Sequence, residues 1–355
     1  MIKIKHLINR QLLNVATPIN ISNIWNLGSR LCIILIIQLF TGILLSFHYI
    51  NFRPLRFNYI YRIIFEINSS WLLRRAHANG ARLFFILIFT HLARGLFYKS
   101  YLLTHVWGSG FSILLILILT RFVGYVLPWG QIRYWGATVI INFLSAVPII
   151  GPILVKCIWG DYSVRFVTLN RLFRVHFLAP IILAILVLIH ILILHSKGSN
   201  NPTITITNSN KILFQPIFII KDNTTWIPIT ILFLVICLLI PNYTIDAENY
   251  TKANILVTPT HIKPEWYYLF AYAILRAVPN KLGGILALVA RLIIIIILPF
   301  KTITSKHNKI NKIIFWLFIS FFILLSWLGA QVVEPPYIVL RIIFSSLYFL
   351  AAYIN

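Results

Sequence analysis

Hydrophobic and polar positions along the chain fall into long blocks. Apolar runs such as "LCIILIIQLF", "FSILLILILT" and "IILAILVLIHILIL" alternate with shorter polar stretches punctuated by Gly and Pro, among them "SNNPT" and "VEPPY". A helix that crosses a bilayer needs about 20 predominantly apolar residues. On that rule the pattern predicts eight spans, 27–48, 71–98, 107–127, 169–196, 224–241, 283–299, 313–331 and 338–353, designated A to H. The segment 129–152 is too broken for a span and predicts short helices on the surface. So does 264–279, where Pro264 suits a first helical turn. The expected fold is an all-α integral membrane protein of about eight transmembrane helices. A four-helix half, 1–200, would be followed by a smaller half, 201–355, carrying spans E to H.

Composition supports this class. Of 355 residues, 59% are hydrophobic and 11% charged, whereas a soluble domain carries about 25% charged residues. A large soluble core is excluded. The start, "MIKIKHLINRQLLN", is basic and amphipathic, so no cleavable signal is expected. Cys32, Cys157 and Cys237 stand alone, without CxxC or CxxCH, which excludes a zinc ribbon and a covalently attached c-type haem. The formal charge of +24 is scattered among the spans rather than clustered on a soluble face. It points to membrane lipids and not to nucleic acid. Eight spans put both termini on one side. Basic residues divide almost evenly between the two sets of loops, and the expectation taken is termini inside.

The chemistry lies in four histidines. His77 and His91 are fourteen residues apart in "RRAHANGARLFFILIFTHLARG", and His176 and His190 repeat that spacing in span D. Fourteen helical residues rise about 21 Å and stop about 40° short of four full turns, so each pair shares one helix face at two depths. Spans B and D cross the membrane in the same direction. His77 is then level with His176, and His91 with His190. Intramembrane histidine is costly and reads as functional. Zinc would want a tetrahedral set with Cys or carboxylate, and neither is level with either pair. Two imidazoles facing each other across a bundle suit a six-coordinate haem iron, which carries electrons and leaves no open position for oxygen.

Other residues fit two stacked haems. Gly28 and Gly42 in span A are fourteen apart, as are Gly110 and Gly124 in span C. A flat macrocycle pressed against a helix needs a near-bare backbone there, although small residues also serve ordinary helix packing. Arg74 and Arg94 lie three residues outside His77 and His91. They could pair with propionates or anchor the helix at the interface.

Taken together these residues resemble the mitochondrial cytochrome b family. The resemblance runs from "WNLGSRL" at Trp25 to "YFL" near the end. It is carried by "HANGA", "ARG", "GYVLPWGQ", "WGATVI", "GSNNPT", "HIKPEWYYLFAYAILRAVPNKLGG" and "VEPPY". It implies two non-covalent haems b, the low-potential one on His77 and His176 and the high-potential one on His91 and His190. It implies a quinol-oxidation site lined by Pro264, Glu265, Trp266, Tyr267 and Gly136, with Glu265 as proton acceptor. A lone carboxylate near an apolar pocket would serve this with a raised pKa. It further implies a quinone-reduction site at His195, Lys221 and Asp222, with Ser29 and Asn26 nearby. The implied function is the electron-transfer subunit of complex III, a quinol:cytochrome c oxidoreductase that is inactive as this chain alone. Ubiquinol would give one electron to a Rieske iron–sulfur protein, and the other would cross the membrane to reduce ubiquinone. The implied partners are that protein and cytochrome c1, in a dimeric assembly of the mitochondrial inner membrane with both termini on the matrix side.

Some residues depart from the family pattern. Its "GQPVEHPY"-like stretch reads "AQVVEPPY", Ala93 replaces a usual glycine, and span H ends early, which puts its full crossing in question. Two other readings use intramembrane histidine, the second with the same bis-histidine logic. A proton-relay transporter would favour acids in its spans, which hold almost none. A transmembrane ferric reductase needs no "PEWY" and usually fewer spans. Finally, one Met stands against dozens of Ile, and arginines occur at Arg82, Arg121, Arg133, Arg174 and Arg291, within or beside spans that offer no acid. A mid-span arginine costs on the order of 2.5–3.5 kcal/mol on insertion scales. One cause would explain both oddities: a mitochondrial gene whose AGA and ATA codons are read as Arg and Ile where the organelle reads Ser and Met. The alternative is a lineage that truly uses these arginines.

Overall fold

A computed structural model describes residues 14–50, 56–203, 208–243, 245–300 and 309–354. Twelve α-helices are described: α1 Leu27–Ser46, α2 Arg56–Phe65, α3 Ser70–Phe97, α4 Thr104–Val126, α5 Gln131–Phe143, α6 Gly151–Trp159, α7 Phe166–Lys197, α8 Ile217–Leu238, α9 Leu269–Ala277, α10 Lys281–Ile297, α11 Lys309–Gly329 and α12 Tyr337–Ile354. Eight helical segments are long and apolar enough to cross a membrane. They are the predicted spans A to H, now α1, α3, α4, α7, α8, α10, α11 and α12. The main shift is in α8, which starts at Ile217 and so takes Lys221 and Asp222 into the helix. The helix α12 has 18 residues, which at 1.5 Å per residue is about 27 Å, close to the hydrocarbon thickness of a bilayer.

Helices dominate because a chain in lipid must satisfy its backbone internally. The lipid tails do not drive helices together as water would, so close packing and polar contacts decide the arrangement. Within the first half, α1 packs on α3 and α4 packs on α7, while α8 lies against α3. One core joins Ile34, Phe85, Leu117 and Leu183 of these helices to Phe233 of α8 and Tyr267. A second gathers α9, α11 and α12 around Ile274 and Leu325. Large apolar residues such as Ile36, Phe40, Leu188, Ile231 and Trp316 remain exposed on the spans, as lipid-facing positions should.

Two local expectations need correction. The stretch 129–152 is not a surface layer: α5 buries Gln131, Ile132, Arg133, Tyr134, Ala137 and Ile141 against a core that includes Val126 and Leu169. Pro264 precedes the helical turn instead of opening it, since Glu265 caps a short 3-10 turn, Trp266–Tyr268, that leads into α9. The all-α class holds, with one small addition to the helices. Strands β1 (Ala16–Pro18) and β2 (Lys211–Leu213) pair antiparallel, with Ala16 opposite Leu213 and Pro18 opposite Lys211.

Candidate functional site

The bundle of α1, α3, α4 and α7 places His77 beside His176. Their ring centroids are 6.2 Å apart and the rings lie at 89° to each other. Both line a cavity of about 240 Å³ together with Gly42, Gly124, Arg74 and Arg121. Such a gap leaves space for one ion bonded to a nitrogen of each ring at about 2 Å.

Hydrogen bonds select which nitrogen faces the gap. The Thr41 hydroxyl donates to the Ile37 carbonyl at 2.7 Å, so its oxygen accepts from His77 Nδ1 at 3.0 Å. His176 Nδ1 lies 2.9 Å from the Thr120 carbonyl, which can only accept. At the deeper level Ser109 donates to the Val106 carbonyl at 2.9 Å and accepts from His190 Nδ1 at 2.8 Å. In all three rings the proton is thereby assigned to Nδ1, and the bare Nε2 remains as a metal ligand. His91 Nδ1 is buried without a partner among the described residues.

The glycines serve the same rings. A Cβ on Gly42 would sit 3.1 Å from His77 Cε1, and one on Gly110 would sit 3.3 Å from His190 Cε1. A Cβ on Gly124 would collide with His176, whereas at Gly28 it would meet nothing within 4 Å. Three of the four glycines therefore make room for an imidazole, and Gly28 faces open space. Arg94 stacks over Trp25 at 5.5 Å, and its Nε is buried without a partner among the described residues. Arg74 lines the first cavity. A bis-histidine haem fits this donor set: paired imidazoles with directed Nε2 atoms, small residues beside them and arginines that can meet propionates.

Glu265 is not a lone carboxylate. It is 9% exposed and held by Arg82, whose Nε reaches Oε2 at 3.2 Å and whose Nη2 reaches Oε1 at 3.1 Å. Arg121 adds a contact to Oε1 at 3.4 Å and donates from Nε to the Tyr267 hydroxyl at 2.6 Å. Arg82 Nη1 also donates to Asn79 Oδ1 at 2.9 Å. Burial pushes the Glu265 carboxyl up, but the charges of Arg121 and Arg82 outweigh it and hold the pKa below the usual carboxylate value. The expected raised pKa is overturned, and the acid that Arg82 and Arg121 meet comes from outside the predicted spans. Tyr267 stacks on Phe85 with centroids 4.2 Å apart, and burial pushes its hydroxyl well above the usual tyrosine value. Arg133 lies over the Tyr125 ring at 5.0 Å with its Nε buried and unpartnered among the described residues. Arg291 does the same over Phe270 at 4.7 Å, while Arg174 is exposed. Pro264 and Trp266 flank Glu265 half-buried. Gly136 lies on α5, where a Cβ would meet nothing within 4 Å.

At the opposite end of the bundle, Asn26 donates to the Lys221 carbonyl at 3.3 Å and to Thr225 Oγ1 at 3.2 Å. Ser29 donates to the Asn26 carbonyl at 2.8 Å, and Lys221 Nζ to the Ile21 carbonyl at 2.5 Å. Asn26, Ser29 and Lys221 are thus drawn together, with Asp222 next in the helix. His195 stands in the last turn of α7.

Sequence reasoning missed the residues that orient the histidines. Thr41 and Ser109 immediately precede Gly42 and Gly110, so a hydroxyl next to each spaced glycine was the available signal. The Thr120 carbonyl had none, being backbone.

Comparison with known proteins places the chain in a family. Residues 12–198 match the family model for cytochrome b/b6/petB, and 252–349 match that for the C-terminal part of cytochrome b, b6/petD. A cytochrome b from Apis mellifera ligustica is 47% identical over 342 residues, which cover 96% of this chain and 89% of the relative. A solved structure titled "Hyperthermophilic respiratory Complex III" superposes with a TM-score of 0.91 at 30% identity, over 99% of this chain and 95% of that one. The chain belongs to the cytochrome b family.

Proposed function

We propose that the chain carries electrons between a quinol-oxidation site at one membrane face and a quinone-reduction site at the other, with His77/His176 and His91/His190 as the axial ligands of two haems b. The chain is the electron-transfer subunit of a respiratory complex III, and quinol:cytochrome c oxidoreductase activity belongs to the assembly. When bound, the haems supply one-electron transfer at an iron with no open position. The observation that carries the reading is the pair His77 and His176, 6.2 Å apart, with Nδ1 of each ring engaged by Thr41 or by the Thr120 carbonyl.

The chain's own residues do the rest. Thr41, Ser109 and the Thr120 carbonyl fix tautomers, the glycines admit the rings, and Arg74 and Arg94 offer charge to propionates. Glu265, Tyr267, Pro264 and Trp266 with Gly136 form the quinol-oxidation site. Glu265 is ionised, the form that accepts a proton, but Arg82 and Arg121 weaken it as a base. Proton uptake there is therefore coupled to its parting from Arg82. His195, Lys221 and Asp222, with Asn26 and Ser29, form the quinone-reduction site, where Lys221 and Asp222 can hold and pass protons. The two halves divide near residue 200, with the haems in the first and part of the quinol site in the second. The substrate is ubiquinol, the partners are a Rieske iron–sulfur protein and cytochrome c1 in a dimeric assembly, and the location is the mitochondrial inner membrane with termini on the matrix side. The test is a reduced-minus-oxidised visible spectrum with a redox titration on native membranes. Two b-type components support the reading, and the absence of a b-type band refutes it.

A further inference from the structure

Four arginines crowd the level of His77 and His176. Arg74 and Arg82 of α3, Arg121 of α4 and Arg133 of α5 all line the cavity that the two imidazoles share. No Asp or Glu is among the described residues that line it. Among the described residues, Glu265 is the one carboxylate in ion-pair contact with any of the four. Arg82 takes both of its oxygens, at 3.2 Å and 3.1 Å, and leaves Arg121 a single contact at 3.4 Å. Arg74 and Arg94 stand three residues from His77 and His91, one at each level. The surplus at the first level is therefore Arg82, Arg121 and Arg133, set against Glu265 alone.

These charges are fixed and poorly screened. A guanidinium keeps its proton in a protein. Arg82 and Arg133 are buried, and 13% of the Arg121 side chain is exposed. Arg121 donates from Nε to the Tyr267 hydroxyl at 2.6 Å, a neutral partner that cancels no charge. The Arg133 guanidinium lies over the Tyr125 ring at 5.0 Å, and its Nε has no partner among the described residues. Arg121 directly follows Thr120, whose carbonyl accepts from His176 Nδ1 at 2.9 Å. The cation is thus carried by the stretch of backbone that orients a candidate axial ligand. Interaction between charges falls with distance and grows as water is excluded. The second histidine level lies about 21 Å further along α3 and feels the cluster less.

We propose that this surplus, Arg121 foremost, raises the reduction potential of the centre held by His77 and His176 and narrows the step from it to the centre held by His91 and His190. The proposal rests on the bis-histidine haem reading. Reduction adds one electron to a haem iron and lowers its charge by one unit, so a fixed cation beside it favours the reduced form. Glu265 acts in the opposite sense. The arginines thereby make the first centre a readier acceptor for the electron that quinol gives up, and they leave a smaller drop for the crossing to the second.

The experiment is a mediated redox titration of the purified complex with all its subunits, read in the visible haem bands. Arg121→Gln is expected to lower the potential of the lower component by about 59 mV, a tenfold change in a one-electron reduction equilibrium. Arg133→Gln is expected to lower it by less. Arg121→Lys keeps the charge and should recover most of the loss. Glu265→Gln removes the opposing anion and should move the same component upward. The higher component should stay nearly fixed in all four. Opposite signs for the arginine and glutamate variants separate a field effect from damage to the fold. Should Arg121→Gln fail to assemble, Arg133→Gln and Glu265→Gln still decide the sign. A wild-type complex without two b-type components overturns the haem reading and the proposal with it. Two components that keep their potentials in Arg121→Gln and Arg133→Gln overturn the proposal alone, as do shifts of one sign in Arg133→Gln and Glu265→Gln. Peptide masses from the same preparation should show arginine at positions 121 and 133, and serine at both overturns it too.

Discussion

Arg82 grips Glu265 with two parallel hydrogen bonds, Nε to Oε2 at 3.2 Å and Nη2 to Oε1 at 3.1 Å. The arginine is on a predicted span and the carboxylate is in the "PEWY" loop, 183 residues away. The pair ties the second half of the chain into the first, beside the residues proposed for quinol oxidation. It also converts a nominal base into a charged anchor.

Removing that anchor should show in both stability and rate. Glu265→Gln leaves two buried guanidinium groups without their carboxylate, a change that typically costs about 3–5 kcal/mol. Thermal unfolding of the purified complex should shift down accordingly. Quinol oxidation should slow severalfold with an altered pH profile, while both haem spectra persist. An unchanged melt, rate and pH profile would leave Glu265 as no more than a cap of its turn.

The pH dependence has a definite sign. The folded pKa of Glu265 lies below its usual value because Arg121 and Arg82 outweigh burial. Its stabilisation is therefore fully present above the unfolded carboxylate value, about 4.3, and is lost only as pH falls through the lower folded value. The stability gap between wild type and Glu265→Gln should be constant from neutral pH down to about 5 and shrink only in stronger acid. A gap that closes between about pH 7 and 6, well above the ordinary range, would restore the raised-pKa reading.

Gly124 offers a steric test. A Cβ there collides with the His176 ring, so Gly124→Ala should displace that imidazole and abolish or shift one haem component while sparing the other. Gly42→Ala, with a 3.1 Å approach to the edge of His77, should do so more mildly. Two normal haem components in Gly124→Ala would show that the ring does not need that space.

The arginines at odd places separate into two groups. Arg82 and Arg121 meet Glu265. Arg291 faces the Phe270 ring and has a buried Nε without a partner among the described residues, a costly environment for a guanidinium in a span. Serine encoded by AGA is the expected identity at Arg291, and peptide mass spectrometry over Leu288–Leu292 checks it; an arginine mass contradicts it. The same measurement over Ala81–Phe85 bears on the Glu265 anchor. A tryptic cut after residue 82 establishes the guanidinium there, and an uncut peptide of serine mass removes Arg82 from the clamp.

Much of the fold was legible because lipid imposes one rule on every span. Length and apolarity located α1, α3, α4, α7, α8, α10, α11 and α12 to within a few residues, apart from the start of α8. There, "IFIIKDNTTW" carries Lys221 and Asp222 into the helix and lowers its apparent hydropathy. The histidine spacing gave the pairing of His77 with His176 because a helix converts residue number directly into depth and face. What stayed hidden depends on contacts between distant segments. The burial of α5, the clamp of Arg82 on Glu265 and the carbonyl of Thr120 against His176 follow from tertiary packing, which has no period along the chain. The helix α2, "RFNYIYRIIF", was missed because its apolar stripe is too short and too mixed for a span rule.

The most direct test of the central claim is a redox-resolved haem spectrum of four single variants, in which His77, His91, His176 or His190 is replaced by a residue that cannot bind iron. Loss of the same low-potential component in the His77 and His176 variants is expected, with the high-potential component largely spared. The reverse is expected for His91 and His190. Loss of one and the same component on replacing His77 and His190 would contradict the pairing.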